Sequence, residues 1–256
     1  MAKFVTLSVN ELRSLLFRYF EVVLSNDHDF YDAATLVLWL EAHGLDGVNT
    51  LLDAHSCETR NVELKSRTVG TSYAREEFDF ENTNSICAGL MVADFSIASA
   101  MSSNDISYAQ IHNCDALQIL VALLARCAAQ GLNAYAVWNE TVGEECYFAS
   151  IEARHATPEI YTTDNIAKYE LAPGRGFLVC ASDGNTLREF ANQEHEIALF
   201  VDKLQKLVSA SQLTSAYEQS IQRGITFATS AHEKLSVVAD KILVEASEMS
   251  RRGAGD

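Results

Sequence analysis

Residues 106–138 constrain the fold more than any other stretch of the chain. Ile106–His112 reads as a strand. Asp115 to Gln130 is a helix-length apolar run closed by Gly131, and Ala134–Trp138 reads as a second strand. Strand, helix and strand in that order form a crossover unit, which needs a sheet with a helix laid across one face. The rest of the chain must supply partner strands and cover for them. Hydrophobic residues make up 48% of the 256, with only 2 Pro and 12 Gly, so a sizeable core is available and long linkers are not expected.

Before this unit the pattern is helical. Ser8-Val9-Asn10-Glu11 is a capping box opening a helix through about Leu24, with Leu12, Leu15, Leu16, Tyr19, Phe20 and Val23 at helical spacing. A second helix is expected from about Asp29 to His43, ended by Gly44 in a left-handed conformation, and a short third near Val48–Ala54. From Asn61 the period changes, and two extended stretches around Gly70 read as a hairpin. Ile86–Phe95 is largely apolar, and periodicity leaves strand and helix both open.

After the unit, Glu145–Ala153, Ile166–Leu171 and Phe177–Ala181 read as strands, with a turn at Pro173-Gly174-Arg175-Gly176. Thr186-Leu187-Arg188-Glu189 is a second capping box, and Leu187, Phe190, Ile197, Val201, Leu204 and Val208 form one helical stripe. A last helix is expected from about Ala231. The expected fold is α+β (or α/β) in a single body. Residues 1–56 are a helical front end, 57–182 a mixed sheet with one crossover helix, and 183–256 C-terminal helices.

A net charge of −16 disfavours a nucleic-acid backbone or an anionic membrane face. The apolar runs Ile86–Ala93 and Ile119–Ala125 fall short of the ~20 residues that span a bilayer. The opening residues run into Glu11 and Arg13 without an apolar stretch of signal-peptide type, so a cytoplasmic location is expected. Cys57, Cys87, Cys114, Cys127, Cys146 and Cys180 contain no CxxC pair, so no metal site is expected. Neither GxGxxG, GxxxxGK, GxSxG nor HExxH occurs, and no cofactor is expected from motifs.

Four groups of residues carry candidate chemistry. His112-Asn113-Cys114-Asp115 sits where a strand meets a helix, where a thiolate would gain from the helix dipole and His112 could act as base; the alternative is a helix cap with Cys114 packed inward. Asp53, His55 and Cys57 offer ligand types in one loop. Asp94 interrupts an apolar stretch, and a buried carboxylate there needs a partner, a substrate amine or a structural Arg. The end of the chain combines Glu248, Ser250 and Arg251, groups suited to a small anion, although Arg near a helix end also serves the helix dipole.

Several segments resemble a bacterial family known only as domain of unknown function 3726. They are Leu7-Ser8-Val9-Asn10-Glu11-Leu12, Leu38-Trp39-Leu40-Glu41-Ala42-His43-Gly44-Leu45-Asp46-Gly47, Ala88-Gly89 with Ala93-Asp94, and Val244-Glu245-Ala246-Ser247-Glu248 with Ser250-Arg251. Glu245 stands where that family has Pro. The resemblance implies no reaction, but it draws attention to Asp94 and the tail. The helical front end is also similar to that of lactate/malate dehydrogenases of the non-Rossmann type. Their Ser-His-Gly motif falls near Ala54-His55-Ser56 and their Asn-x-x-His segment near Asn139-Glu140-Thr141-Val142, and neither matches.

Three functions remain open. The first is binding or processing of a small anionic metabolite, an amino or hydroxy acid, held by Arg251, Ser250 and Glu248 with Asp94 near the same pocket. The second is a non-catalytic partner subunit, and the third a divergent NAD(P)-dependent oxidoreductase. Long amphipathic helices are compatible with a homodimer. On the first reading Arg251→Ala abolishes binding of amino or hydroxy acids in a thermal-shift panel and leaves the fold intact; unchanged affinity overturns it.

Overall fold

The computed structural model describes residues 3–24, 30–54, 65–70 (as backbone), 74–81, 85–103, 106–139, 146–163, 174–184 and 204–242. In chain order the strands are β1 (Phe4–Leu7), β2 (Lys65–Gly70), β3 (Ala74–Asp79), β4 (Ser107–His112), β5 (Asn133–Asn139), β6 (Cys146–Ile151), β7 (Glu159–Thr163), β8 (Gly176–Ala181), β9 (Gln205–Val208) and β10 (Ile225–Ala228). The helices are α1 (Val9–Val23), α2 (Phe30–Ala42), α3 (Gly47–Asp53), α4 (Ser85–Ser103), α5 (Ile119–Ala129), α6 (Ala210–Arg223) and α7 (Thr229–Ala239).

Among the described residues, eight strands form one mixed sheet in the order β2-β3-β4-β8-β5-β6-β7-β9. Of these described strands only β3 and β4 pair in parallel. The crossover unit β4–α5–β5 is present, but its strands are not neighbours: β8 lies between them, antiparallel to both. The fold class is the α+β arrangement expected, with a second, two-stranded ribbon of β1 and β10 beside the helical front end.

Strand periodicity sorts the sheet's two faces. Ala109 and Ile111, Ala134, Ala136 and Trp138, and Leu178 and Cys180 pack into the main core under the helices. Tyr108, Tyr135, Val137, Phe177 and Val179 point the other way into a second cluster. Helix α5 crosses the first face with Ile119 to Leu124, Cys127 and Ala128 all buried. Alanines beneath it and Gly176, whose added Cβ would lie 3.1 Å from Leu120, let the helix come close.

The ambiguous stretch at 86–95 is helix α4, at 19 residues longer than any strand here. Its 85–102 window is apolar and long enough to cross a membrane by composition, yet half of it is buried within the protein. The hairpin around Gly70 is β2–β3. Of the stripe expected to run as helix to Val208, the described end is instead strand β9, pairing with β7. The backbone of this edge is claimed by the sheet, which overrides a helical spacing of apolar side chains. Residues 166–171 and 186–201 lie outside the described residues.

Local rules explain the front end. Ser8 Oγ accepts from Glu11 N at 3.2 Å while Glu11 Oε2 accepts from Ser8 N at 2.7 Å, the capping box expected. The segment Trp39 to Gly47 makes a tight corner. Gly44 is left-handed (φ 76°), Leu45 N donates to Leu40 O at 2.9 Å, and Glu41 reaches across to accept from Val48 N at 2.8 Å. His43 stacks between Trp39 (4.0 Å) and Tyr217 of α6 (5.0 Å), so the corner also docks a later helix.

Gly47 is the tightest point of that corner. A Cβ there would collide with Val37 O and lie 2.8 Å from Leu40 Cβ and 2.9 Å from Glu41 N, all rigid neighbours. At Gly89 an added Cβ meets the Cδ1 tip of Ile119 at 2.6 Å, which a rotamer change relieves. Gly47→Ala is therefore expected to lower unfolding free energy in urea by about 2 kcal/mol or more, and Gly89→Ala by about half that or less. Equal losses would show that the corner is not the rigid element described.

Candidate functional site

A cavity of about 740 Å³ opens where β5, β6, β7 and β8 end together. The size is that of a small-molecule site. Alternation along the strands sends Tyr135, Phe148 and Ser150 to the second face of the sheet, where they line it. Tyr135 and Phe148 stack at 5.8 Å. They belong to a row of rings that continues through Phe177 to Tyr108 on one side and to Tyr161 on the other. Arg75 lies over the Tyr108 ring at 5.0 Å, and Lys206 over Tyr161 at 5.5 Å.

The polar lining comes from the loop after β6, the start of β7 and the residues after β8. Arg154 takes a left-handed turn (φ 65°), its N donating to Ala128 O at 2.9 Å, and this swings His155 and Thr157 to the cavity. Thr157 Oγ1 lies 3.2 Å from both Ala210 O and Thr214 Oγ1, which fixes the wall against α6. Asn133 Oδ1 accepts from Ala153 N at 3.2 Å and holds the same loop from the other side.

Glu159 is held in the lining by two side-chain bonds. Its Oε1 accepts from Lys206 Nζ at 2.7 Å and its Oε2 from the Tyr161 hydroxyl. The Lys206 bond, then the Tyr161 bond, holds its carboxyl below the usual carboxylate range, so it is ionised at neutral pH. Burial, reinforced by the bond to Glu159, pushes the Tyr161 phenol up. Glu152 and Asp183 bring two further carboxylates to the rim, beside an exposed His155 whose Nε2 lies 3.9 Å from Glu152 Oε2. No Lys or Arg is among the described lining residues. The arrangement offers aromatic faces, hydroxyls, carboxylate acceptors and one imidazole: it suits a ligand with a ring or methylene body and hydroxyl or amine groups.

Of the residues singled out in the sequence, the described ones, Asp53, Asp94, His112 and Cys114, do not line this cavity. Asp94 is not buried: it sits on the outer side of α4 and accepts from Arg126 Nη2 at 2.9 Å and Nε at 3.0 Å. The same Nη2 donates to Asp32 at 2.9 Å, so α2, α4 and α5 are clasped by one guanidinium, the structural-Arg alternative. Glu248, Ser250 and Arg251 lie outside the described residues, as do His55 and Cys57. Among the described residues no three His, Cys, Asp or Glu converge to hold a metal.

The Cys–His pairing is overturned. Cys114 is fully buried in the main core, and burial pushes its thiol up to about 12, so it stays protonated. His112 faces the opposite side of the sheet, in register with Asp79 of β3. Its Nε2 is buried without a hydrogen-bond partner among the described residues. Burial, then Arg175, lowers its pKa, so it is neutral at pH 7. Asp115 does not cap α5 but accepts from Ser85 at the start of α4. The cavity residues went unread because Tyr135, Phe148 and Ser150 carry only strand alternation in sequence; their convergence with His155 and Asp183 depends on sheet order.

No protein-family model and no curated protein sequence matches the chain, so the resemblance to domain of unknown function 3726 gains no support there. Solved structures do match. Malate dehydrogenase from Pyrococcus horikoshii OT3 superposes with a TM-score of 0.63 at 11% identity, over 94% of this chain and 97% of that one. Delta1-piperideine-2-carboxylate reductase from Pseudomonas syringae pvar. tomato gives 0.55 at 13%, over 91% and 99%. Sulfolactate dehydrogenase from Methanocaldococcus jannaschii gives 0.54 at 9%, over 93% and 97%. The chain is thus similar in fold to malate/lactate-type dehydrogenases.

Thiol chemistry provides a direct check. Burial also pushes Cys146 up to about 12. In the native protein at pH 8, iodoacetamide is expected to leave Cys114 and Cys146 unmodified in peptide mass maps and to label both in urea. Rapid native labelling of Cys114 would restore it as a nucleophile.

Proposed function

We propose that this chain is a divergent oxidoreductase of the malate/lactate dehydrogenase type, acting on a small hydroxy, oxo or imino acid. The observation that carries this reading is the reciprocal whole-chain coverage of dehydrogenase and reductase folds, front-end helices and sheet together. In this reading the cavity at the ends of β5 to β8 receives the hydroxyl, oxo or imino end of the substrate, whose carboxylate meets no Lys or Arg among the described lining residues. Tyr135 and Phe148 pack against the carbon skeleton, Ser150 and Thr157 meet hydroxyl or carbonyl oxygens, and His155 is the group able to hold or pass a proton at the rim.

Such a fold implies a nicotinamide dinucleotide, and the lining fits it only in part. Aromatic faces and carboxylates suit a ring and ribosyl hydroxyls. A pyrophosphate does not fit: it would bring two charges against Glu152 and Asp183, with Glu159 already paired to Lys206 and no Lys or Arg among the described lining residues to meet them. At 4 Å each such pair is unfavourable by about 1 kcal/mol even in water.

That mismatch favours a second reading, a protein that keeps the dehydrogenase fold and binds a small hydroxyl- or amine-bearing molecule without redox chemistry. Titration with NADH and NADPH, followed by the fluorescence of the reduced nicotinamide, separates the two. Saturable binding and oxidation of the reduced cofactor on adding a 2-oxo or cyclic imino acid are expected of the oxidoreductase. Absence of binding, with the protein still stabilised by a small acid or amine in thermal shift, establishes the second reading instead.

A further inference from the structure

A second concavity, of about 470 Å³, lies between α1 and α7, and it is built from residues that the cavity on the sheet does not use. One turn after another of α1 presents Asn10, Ser14 and Arg18, and α7 answers with His232 and Ser236 at the same four-residue spacing. Leu7 and the buried Leu15 form an apolar floor. Arg18 also reaches Asp240, one further turn beyond Ser236.

The groove is charged at its ends and apolar along its floor. At one end stands Arg18, whose recorded ion pair is long, Nη1 to Asp240 Oδ1 at 3.5 Å, and partly exposed, so it is weakly committed. At the other end stands Glu11. The bonds from the Ser8 backbone and side chain hold its carboxyl below the usual range, so it is ionised at neutral pH. Its Oε2 is engaged by Ser8 N, but a carboxylate has acceptor capacity beyond one bond. Seven residues of α1 separate the two charges, ~10 Å along the helix axis before side-chain reach.

A dianion would be repelled at the Glu11 end and a diamine at the Arg18 end. We infer that the α1–α7 groove binds an extended zwitterion, an amino acid with a terminal amine, its carboxylate on Arg18, its methylene chain over Leu7 and Leu15, and its ammonium beside Glu11. Arg18 supplies charge-assisted bonds to the carboxylate, and Ser236 and His232 supply hydroxyl and ring-nitrogen partners along the other wall. This inference stands apart from the oxidoreductase reading, since none of its residues lines the cavity between the strands.

Calorimetric titration of the full chain with 6-aminohexanoate, succinate and 1,6-diaminohexane tests it. Saturable binding of 6-aminohexanoate, with succinate and the diamine at least about tenfold weaker, is expected. Arg18→Ala should weaken 6-aminohexanoate by about tenfold or more. Glu11→Gln, which keeps a capping side chain and so preserves the start of α1, should remove the preference over succinate. Ser14→Leu, on an exposed helical position, should block the groove, while circular dichroism shows all three variants folded. The inference is overturned if 6-aminohexanoate does not bind, if succinate binds equally well to the unmodified protein, or if Arg18→Ala and Ser14→Leu leave its affinity unchanged. NADH titration of the same variants keeps the two readings separate, because it reports on the oxidoreductase reading alone.

Discussion

The deep burial of α5 is the constraint on which the rest of the structure depends. A helix with eight of its eleven residues buried must be covered on nearly every side. The sheet meets it with Ala134, Ala136 and Ala149 of β5 and β6, and Gly176 yields to Leu120. On its remaining flanks α2 and α4 close over it, with Gly89 of α4 against Ile119. Close packing of this kind leaves no room for a larger side chain on the strands beneath, since overpacking strains the whole layer. The one charged residue of α5, Arg126 in its last turn, emerges at the edge. There it binds Asp32 and Asp94, whose exposed pairing contributes alignment of three helices more than free energy.

Covering one face of the sheet so tightly determines what the other face can do. Because β8 and the middle of β5 are buried on both sides, their outward residues Tyr135, Val137, Phe177 and Val179 are also apolar, and with Tyr108 of β4 the rings among them join the row that runs to Tyr161. Towards β6 and β7 the row gives way to Ser150, Glu159 and the loop carrying His155, and the cavity opens at that transition from ring faces to polar groups. Lys206 on the edge strand β9 then does two things at once: it holds Glu159 ionised and lies against the Tyr161 ring. The site is thus where the aromatic layer of the sheet runs out.

Features of short range were legible in the sequence. The capping box at Ser8 and Glu11, the left-handed Gly44 and Gly131, and the strands β4, β5 and β8 each depend on residues a few positions apart. Others were present but unread: Ser209 and Gln212 form a capping box that opens α6, in a stretch whose apolar content is low. Asp94 looked buried because its neighbours are apolar, whereas helical geometry turns it outward while Ala93 and Val92 go in. The insertion of β8 between β4 and β5 left no local trace at all, and the cavity depends on that insertion. A fold can be read from periodicity; a site made by non-adjacent strands cannot.

At about a tenth sequence identity, what this chain shares with the dehydrogenases is a shape. Shape is preserved by volume and patterning, which tolerate almost any exchange among apolar residues provided that small ones stay under α5 and large ones on the opposite face. Charge at a cavity has no such protection, because a single carboxylate changes which ligands enter while leaving the core untouched. The chain's excess of 16 negative charges is carried into the cavity as Glu152, Glu159 and Asp183, and it is relieved locally in the α1–α7 groove by Arg18. The physical consequence is a contrast in sign: the described lining where the sheet ends offers carboxylates without Lys or Arg, and the groove between the helices sets a guanidinium apart from a carboxylate.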